Sequence, residues 1–225
     1  MAEHSSATGE RQIQVEAVVF DYGGVLTSAV RDTTAQWLAA DRIDHDSFYA
    51  VMREWMARDV DTVTPVHRLE TGELAEAEFE VALAARLTTT SGGPVDAAGL
   101  LGRLFAGMRP DEDMLDLMGE LRKAGIKVGL LSNSWANTYP ADLAARCDAV
   151  VISGDVGLRK PDPAIYRLVL DQLGLSADRC VFVDDAPVNV DAATALGMRA
   201  LRHTDAASTR AALRELVPSL GKVAS

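Results

Sequence analysis

At 225 residues with a formal net charge of -11 and no basic stripe, the chain lacks the clustered Lys and Arg that nucleic acid or an anionic membrane selects. Apolar residues make up 48% and charged residues 24%, a soluble globular balance that excludes a disordered chain and allows one good core with a small second module. An anionic small substrate stays open, because a bound divalent cation reverses the local field.

Along the chain, MAEHSSATGERQIQ has no hydrophobic signal region and reads as the disordered start, residues 1–14, of a cytoplasmic protein. VEAVVF at 15–20 is a first buried strand, and it delivers Asp21 into the turn Gly23-Gly24. Residues 29–109 hold no strand-like run. Phe48, Val51, Met52 and Trp55 make one helical face, and Phe79, Ala82, Leu83 and Leu87 of EAEFEVALAARL make another. The loop TTTSGGP at 88–94 then leads to a last helix near 96–107. An all-helical module is therefore expected directly after the first strand, with Trp37 and Trp55 in its core and His67 and Arg68 of TPVHRLETG in a solvated loop, substrate contact being the alternative for both.

From 110 onward strands and helices alternate. DEDMLDLMGELRKAG buries Met114, Leu117, Met118 and Leu121 and stops at Gly125. Strands follow at 127–132 (KVGLLS), 149–153 (AVVIS), 180–184 (CVFVD) and, more weakly, 198–202 (MRALR). KPDPAIYRLVLDQLGL reads as a helix with Asp162 as N-cap, Pro163 at its first position, Ile165, Leu168 and Val169 on its buried face, and Gly174 at its end. Cys147 and Cys180 sit in apolar contexts without metal-type spacing and read as buried thiols. No apolar run approaches the ~20 residues of a membrane span. The alternation implies βαβ units in an α/β, doubly wound parallel sheet.

Ligands of such sheets bind beyond the carboxyl ends of the strands. Those ends present Asp21, Ser132 with Asn133, and Asp184 with Asp185, while Lys160 stands in the loop before a helix. Carboxylates, a lysine and a hydroxyl on one rim suit a phosphoryl group. A carboxylate attacks, an acidic pair holds Mg²⁺, and the lysine and hydroxyl meet the phosphate oxygens.

The motifs FDYGGVLT, LLSNS, GLRKPDPAIY and FVDDAPVNVDAA, in this order and spacing over about 15–205, resemble the haloacid dehalogenase-like hydrolase superfamily. The resemblance is to the branch with a helical cap inserted after the first strand, and within it to the phosphatase domain of soluble epoxide hydrolases; LETGELAEAEF resembles a cap segment of that branch. It implies a Rossmann-like core of 15–28 and 110–218, a cap of 29–109 and a flexible C-terminus at 219–225. It also implies Asp21 as nucleophile and Mg²⁺ ligand, Ser132 and Asn133 at the phosphate, and Lys160 pairing both. Asp185 and Asp184 would hold the metal, the Gly23 and Gly24 N–H groups would cradle phosphate, and the Lys160–Pro161 bond is expected to be cis. The implied substrate is a small phosphorylated metabolite, with monomer and homodimer both open.

One position departs from the pattern. Most phosphatases of the superfamily carry a second aspartate two residues after the nucleophile, to protonate the leaving oxygen and activate water. Here Gly23 stands there, and only its carbonyl remains as a metal ligand. Loss of general acid–base catalysis costs about 10²–10⁴-fold, so a slow or leaving-group-selective phosphatase is expected. Two alternatives stand beside it: a phosphate-binding or interaction protein without turnover, and a 2-haloacid dehalogenase. Dehalogenases as a rule have a tyrosine at that position, whereas Tyr22 comes one residue early, and the acidic pair is retained.

Overall fold

The computed structural model describes residues 14–56, 63–135 and 139–221. The expected disordered start at 1–14 lies, but for Gln14, outside the described residues. Strand β1 (Ala17–Phe20) is followed by five helices, α1 (Val30–Ala40), α2 (His45–Trp55), α3 (Pro65–Glu70), α4 (Glu76–Ala84) and α5 (Leu100–Phe105). The chain continues through α6 (Glu112–Lys123), β2 (Lys127–Ser132), α7 (Ala141–Ala145), β3 (Ala149–Ile152), α8 (Ser153–Val156) and α9 (Pro163–Leu173). It ends with β4 (Cys180–Asp184), α10 (Pro187–Ala195), β5 (Arg199–Arg202) and α11 (Ala206–Leu216).

The five strands are parallel in the order β3-β2-β1-β4-β5. Phe20 pairs with Leu130 on one side and Val183 on the other, so the carboxyl ends of β1, β2 and β4 finish level. Successive side chains alternate between the two faces, and both faces are apolar because both are covered. Val18, Phe20, Val128, Leu130, Val181 and Val183 pack on Met114, Leu117, Met118 and Leu121 of α6 and on Leu213 of α11. Ala17, Val19, Leu131 and Phe182 pack on Ile165, Tyr166 and Val169 of α9 and on Ala193 of α10. Helices on both faces make the sheet doubly wound, as the alternation of elements implies.

Helix ends follow local chemistry. Asp162 accepts from the Ala164 N–H with Pro163 at the first helical position, and Gly174 closes α9 at φ 67°. Asp111 starts α6 by accepting from the Met114 N–H. The segment expected as a solvated loop, TPVHRLETG, is instead mostly helix α3. Thr64 accepts from the His67 N–H, His67 returns a contact to the Thr64 N–H, and Pro65 sets the first φ, so His67 and Arg68 are helical. The C-terminus is more ordered than 219–225 suggests: Pro218–Gly221 form a 3-10 turn that buries Leu220, and only 222–225 lie outside the described residues.

The helices between β1 and α6 bury a cluster of their own, including Trp37, Phe48, Trp55, Phe79, Leu83 and Leu100. The two chain segments that connect them to the sheet run side by side. Ser28 N–H donates to the Arg109 carbonyl at 2.7 Å, and the Asp111 N–H donates to the Leu26 carbonyl at 2.9 Å. Among the described residues no helix is long and apolar enough to cross a membrane. Cys147 and Cys180 are free thiols; Cys180 is buried and Cys147 half-buried.

Candidate active site

Asp21 is the first residue past β1, and its N–H still donates to the Val183 carbonyl of β4 at 2.9 Å. That bond aims the side chain over the sheet's carboxyl edge. The chain then turns sharply, with the Val25 and Leu26 N–H groups both donating to the Tyr22 carbonyl. Gly24 has φ 79°, and a Cβ there would stand 2.8 Å from an Asp185 carboxylate oxygen. Only glycine lets this loop pass the acid so closely. Gly23, without a left-handed φ, lines a cavity that opens over Asp21.

Lys160 arrives from the loop before α9 and is 1% exposed. Its ammonium lies 2.8 Å from Asp21 Oδ1 and 2.6 Å from Asp184 Oδ2, and sits over the Phe182 ring. Its backbone is clamped by Asn133: the Lys160 N–H donates to Oδ1 at 2.8 Å, and Nδ2 donates to the Lys160 carbonyl at 3.0 Å. The Lys160–Pro161 peptide is cis, as expected. Asp184 is fully buried and needs every partner it has: the Ala186 N–H at 2.8 Å, Asn189 Nδ2 at 3.0 and 3.2 Å, and Lys160.

Burial pushes the Asp21 carboxyl up to about 7, opposed by Lys160 and reinforced by the like charge of Asp184. Burial and Asp184 also raise Asp185. Burial alone would push the Lys160 ammonium down, yet Asp21 and Asp184 hold it above its ordinary value. Carboxylate oxygens of Asp21, Asp184 and Asp185 lie within 4.8 Å of one another. Three carboxylates against one lysine leave negative charge in excess at a mostly buried spot, and the oxygen donors match a hard divalent cation such as Mg²⁺. The residues present fit that ion.

Ser132 ends β2 and faces the same cavity, 3% exposed. All the sequence-derived positions except the buried Gly24 and Asp184 line that one cavity, and Asp184 touches Lys160 behind it. Four further residues belong to the arrangement. The Tyr139 hydroxyl donates to Ser132 Oγ at 2.7 Å, leaving the serine proton free to point elsewhere. Burial raises the Tyr139 phenol, and its ring meets Tyr22 edge-on at 4.4 Å. Glu70, at the end of α3, reaches across to Arg159 Nε at 2.6 Å and to Asn133 Nδ2 at 3.5 Å; burial raises its carboxyl against the pull of Arg159. Asn189 lies one turn into α10 from Asp185, a spacing the motif FVDDAPVNVDAA displays. No local pattern announces Tyr139 or Glu70.

A phosphatase of Mycobacterium tuberculosis is 30% identical over 218 residues, covering 94% of this chain and 97% of that protein. The sesquiterpene phosphatase of Aspergillus oryzae is 39% identical over 118 residues, 49% of this chain; the match spans 59% of the length of that relative. Among solved structures, a HAD family enzyme of Bacteroides thetaiotaomicron, an aspartate-to-alanine mutant in complex with magnesium and inorganic phosphate, has the same fold. It aligns with TM-score 0.60 at 19% identity, covering 84% of this chain and 94% of that one. Residues 15–197 match the haloacid dehalogenase-like hydrolase family. With the four signature segments gathered at one end of a parallel five-stranded sheet, the chain belongs to the haloacid dehalogenase-like hydrolases.

Proposed function

We propose that the protein is a Mg²⁺-dependent phosphoric monoester hydrolase, acting on a small phosphorylated molecule through an aspartyl-phosphate on Asp21. The observation that carries this reading is the Lys160 ammonium held between Asp21 at 2.8 Å and Asp184 at 2.6 Å, in the cavity that Ser132 and Asp185 also face. The full-length similarity to a phosphatase supports the phosphate ester as substrate.

An Asp21 oxygen forms the bond to phosphorus as the ester P–O bond breaks, and the departing alkoxide takes a proton. Lys160 favours the ionised form of Asp21 against its burial, orients it and meets the phosphoryl oxygens. Ser132, its oxygen already accepting from Tyr139, is free to donate its own proton to the phosphate. The Gly23 N–H and Asn133 complete the cradle, with Asn133 acting through the Lys160 backbone it clamps; the Gly24 N–H, expected there as well, is instead taken by Thr27 Oγ1 at 3.1 Å inside the turn. Asp21, the Gly23 carbonyl, Asp184 and Asp185 would hold Mg²⁺, whose contribution is to neutralise charge on the transferring group. Because Asp184 is saturated by protein donors, Asp185 is the better placed of the pair for direct contact. Water then attacks phosphorus and releases inorganic phosphate, regenerating the carboxylate.

Gly23 leaves the leaving-group proton to solvent, so esters of basic alkoxides turn over slowly. The five helices between β1 and α6 act as a cap that excludes bulk water and selects the substrate. A broad phosphate-ester screen with and without Mg²⁺ tests the reading, with Asp21→Asn as the blank. Phosphate release that needs both Mg²⁺ and Asp21 is expected. Mg²⁺-dependent phosphate binding without release, and no beryllium fluoride adduct on Asp21, would instead mark a binding protein.

A further inference from the structure

The cavity over Asp21 is far larger than the group it has to hold. A phosphate, no larger than about five waters at roughly 30 Å³ each, fills at most on the order of a tenth of its volume of about 1440 Å³. Part of the remainder is an apolar wall, while His67, Thr71 and Glu73 line it elsewhere. Val30 opens α1, Leu101 and Phe105 belong to α5, Met108 follows α5, and Trp135 lies in the loop after β2; their apolar surfaces share this cavity. Phe105 and Trp135 stack at 5.5 Å, and both are only partly buried.

Three polar side chains beside this wall are already engaged with protein. Glu76 accepts from Trp135 Nε1 at 3.2 Å. Arg109 Nη1 donates to the Ala106 and Met108 carbonyls at 2.9 and 3.1 Å. Glu70 holds Arg159 at 2.6 Å. A polyhydroxylated substrate would have to break these pairs or bury its hydroxyls against hydrocarbon without partners. An apolar group gains from the same wall with nothing to break.

We infer that the substrate is an amphiphilic phosphate monoester, its phosphate at Asp21 and Ser132 and its alcohol carrying an extended hydrocarbon portion along Val30, Leu101, Phe105, Met108 and Trp135. This rests on the phosphate-ester reading for the head and adds the chemistry of the tail. Sugar and short polyol phosphates are thereby disfavoured.

Binding of n-alkylphosphonates, measured by calorimetry with Mg²⁺ below their aggregation concentrations, tests the tail without requiring turnover. Each fully buried methylene is worth roughly a fourfold gain in affinity. In a half-open cavity the octyl compound should therefore bind about ten- to a hundredfold tighter than the ethyl compound. Phe105→Ser should shrink that octyl-to-ethyl ratio several-fold, and Met108→Ser, outside the helical core cluster, does the same if Phe105→Ser fails to fold. Equal affinities for the two lengths, or a ratio untouched by a folded wall variant, overturns the inference. Tight, length-dependent binding without hydrolysis of octyl phosphate or of any ester in the screen would keep the tail site and remove the phosphatase reading instead.

Discussion

Restoring a carboxyl at position 23 separates chemistry from scaffold. Gly23 lies outside the left-handed region, and a Cβ built there meets one atom within 4 Å, Val30 Cγ2 at 3.3 Å. Gly23→Asp therefore asks one methyl group to yield by a few tenths of an ångström, an overpacking cost at or below the usual ~1–3 kcal/mol. The new carboxyl joins a buried cluster of like charge, which raises its protonated fraction, the form a general acid needs. General acid–base catalysis contributes about 10²–10⁴-fold, or ~3–5 kcal/mol of barrier. For an alkyl phosphate, whose leaving group is a strong base, kcat should rise by about that factor. For an aryl phosphate, whose leaving group departs with little protonation, the rise should stay under about tenfold. Phosphate release at saturating Mg²⁺ is the assay, with thermal melting alongside; Val30→Ala is added if Gly23→Asp lowers Tm. An equal rise for both esters, or none in a folded variant that binds Mg²⁺, would refute the reasoning that the missing acid limits turnover.

Lys160→Met should leave Asp21 and Asp184 facing each other without their cation, and breaking a buried pair in this way costs about 3–5 kcal/mol. Urea denaturation at pH 8 without Mg²⁺ reads this directly; a loss below ~1 kcal/mol would mean the ammonium is not what holds the carboxylates together. Mg²⁺ affinity should depend on pH with a definite sign. Burial puts the Asp21 carboxyl at about 7, so below that value a proton occupies an oxygen the ion needs. Affinity should fall from pH 8 to pH 6, approaching about tenfold per unit on the acid side, and a flat calorimetric profile over that range would count against Asp21 as a ligand.

Strands β1 to β4 were legible because burial on both faces leaves nearly continuous apolar runs, whereas the half-buried edge strand β5 reads more weakly. Asp21, Ser132 and Asp184 could be read as site residues because parallel strands end level, so three strand ends become neighbours without long-range information. Helix α3 carried a readable signal in Thr64-Pro65, a capping residue followed by proline at the first helical position, and the short segment before the next glycine made it look like a loop. Tyr139 and the Glu70–Arg159 pair were different in kind. Glu70 and Arg159 are 89 residues apart and meet only through the tertiary fold, and Tyr139, though only 7 residues from Ser132, belongs to no periodic pattern that would aim it there.

Charge at the strand ends discriminates between the two reactions that a carboxylate nucleophile on this sheet can perform. Displacing halide from carbon needs one ionised carboxylate and expels an anion. Two further acids within 4.8 Å would repel that anion and raise the nucleophile's proton affinity, both against the reaction. Phosphoryl transfer meets the same repulsion, but in the proposed reaction a divalent cation held by these acids would turn the excess charge into a binding site. The loop geometry carries a matching constraint: the backbone at Gly24 passes so near Asp185 that any side chain there would collide with its carboxylate. Asp185 imposes that restriction on position 24 and destabilises its neighbours electrostatically. A site working through Asp21 and Lys160 alone would be relieved of both by a neutral residue at 185, so the acid supports the proposed Mg²⁺-dependent reaction over halide displacement.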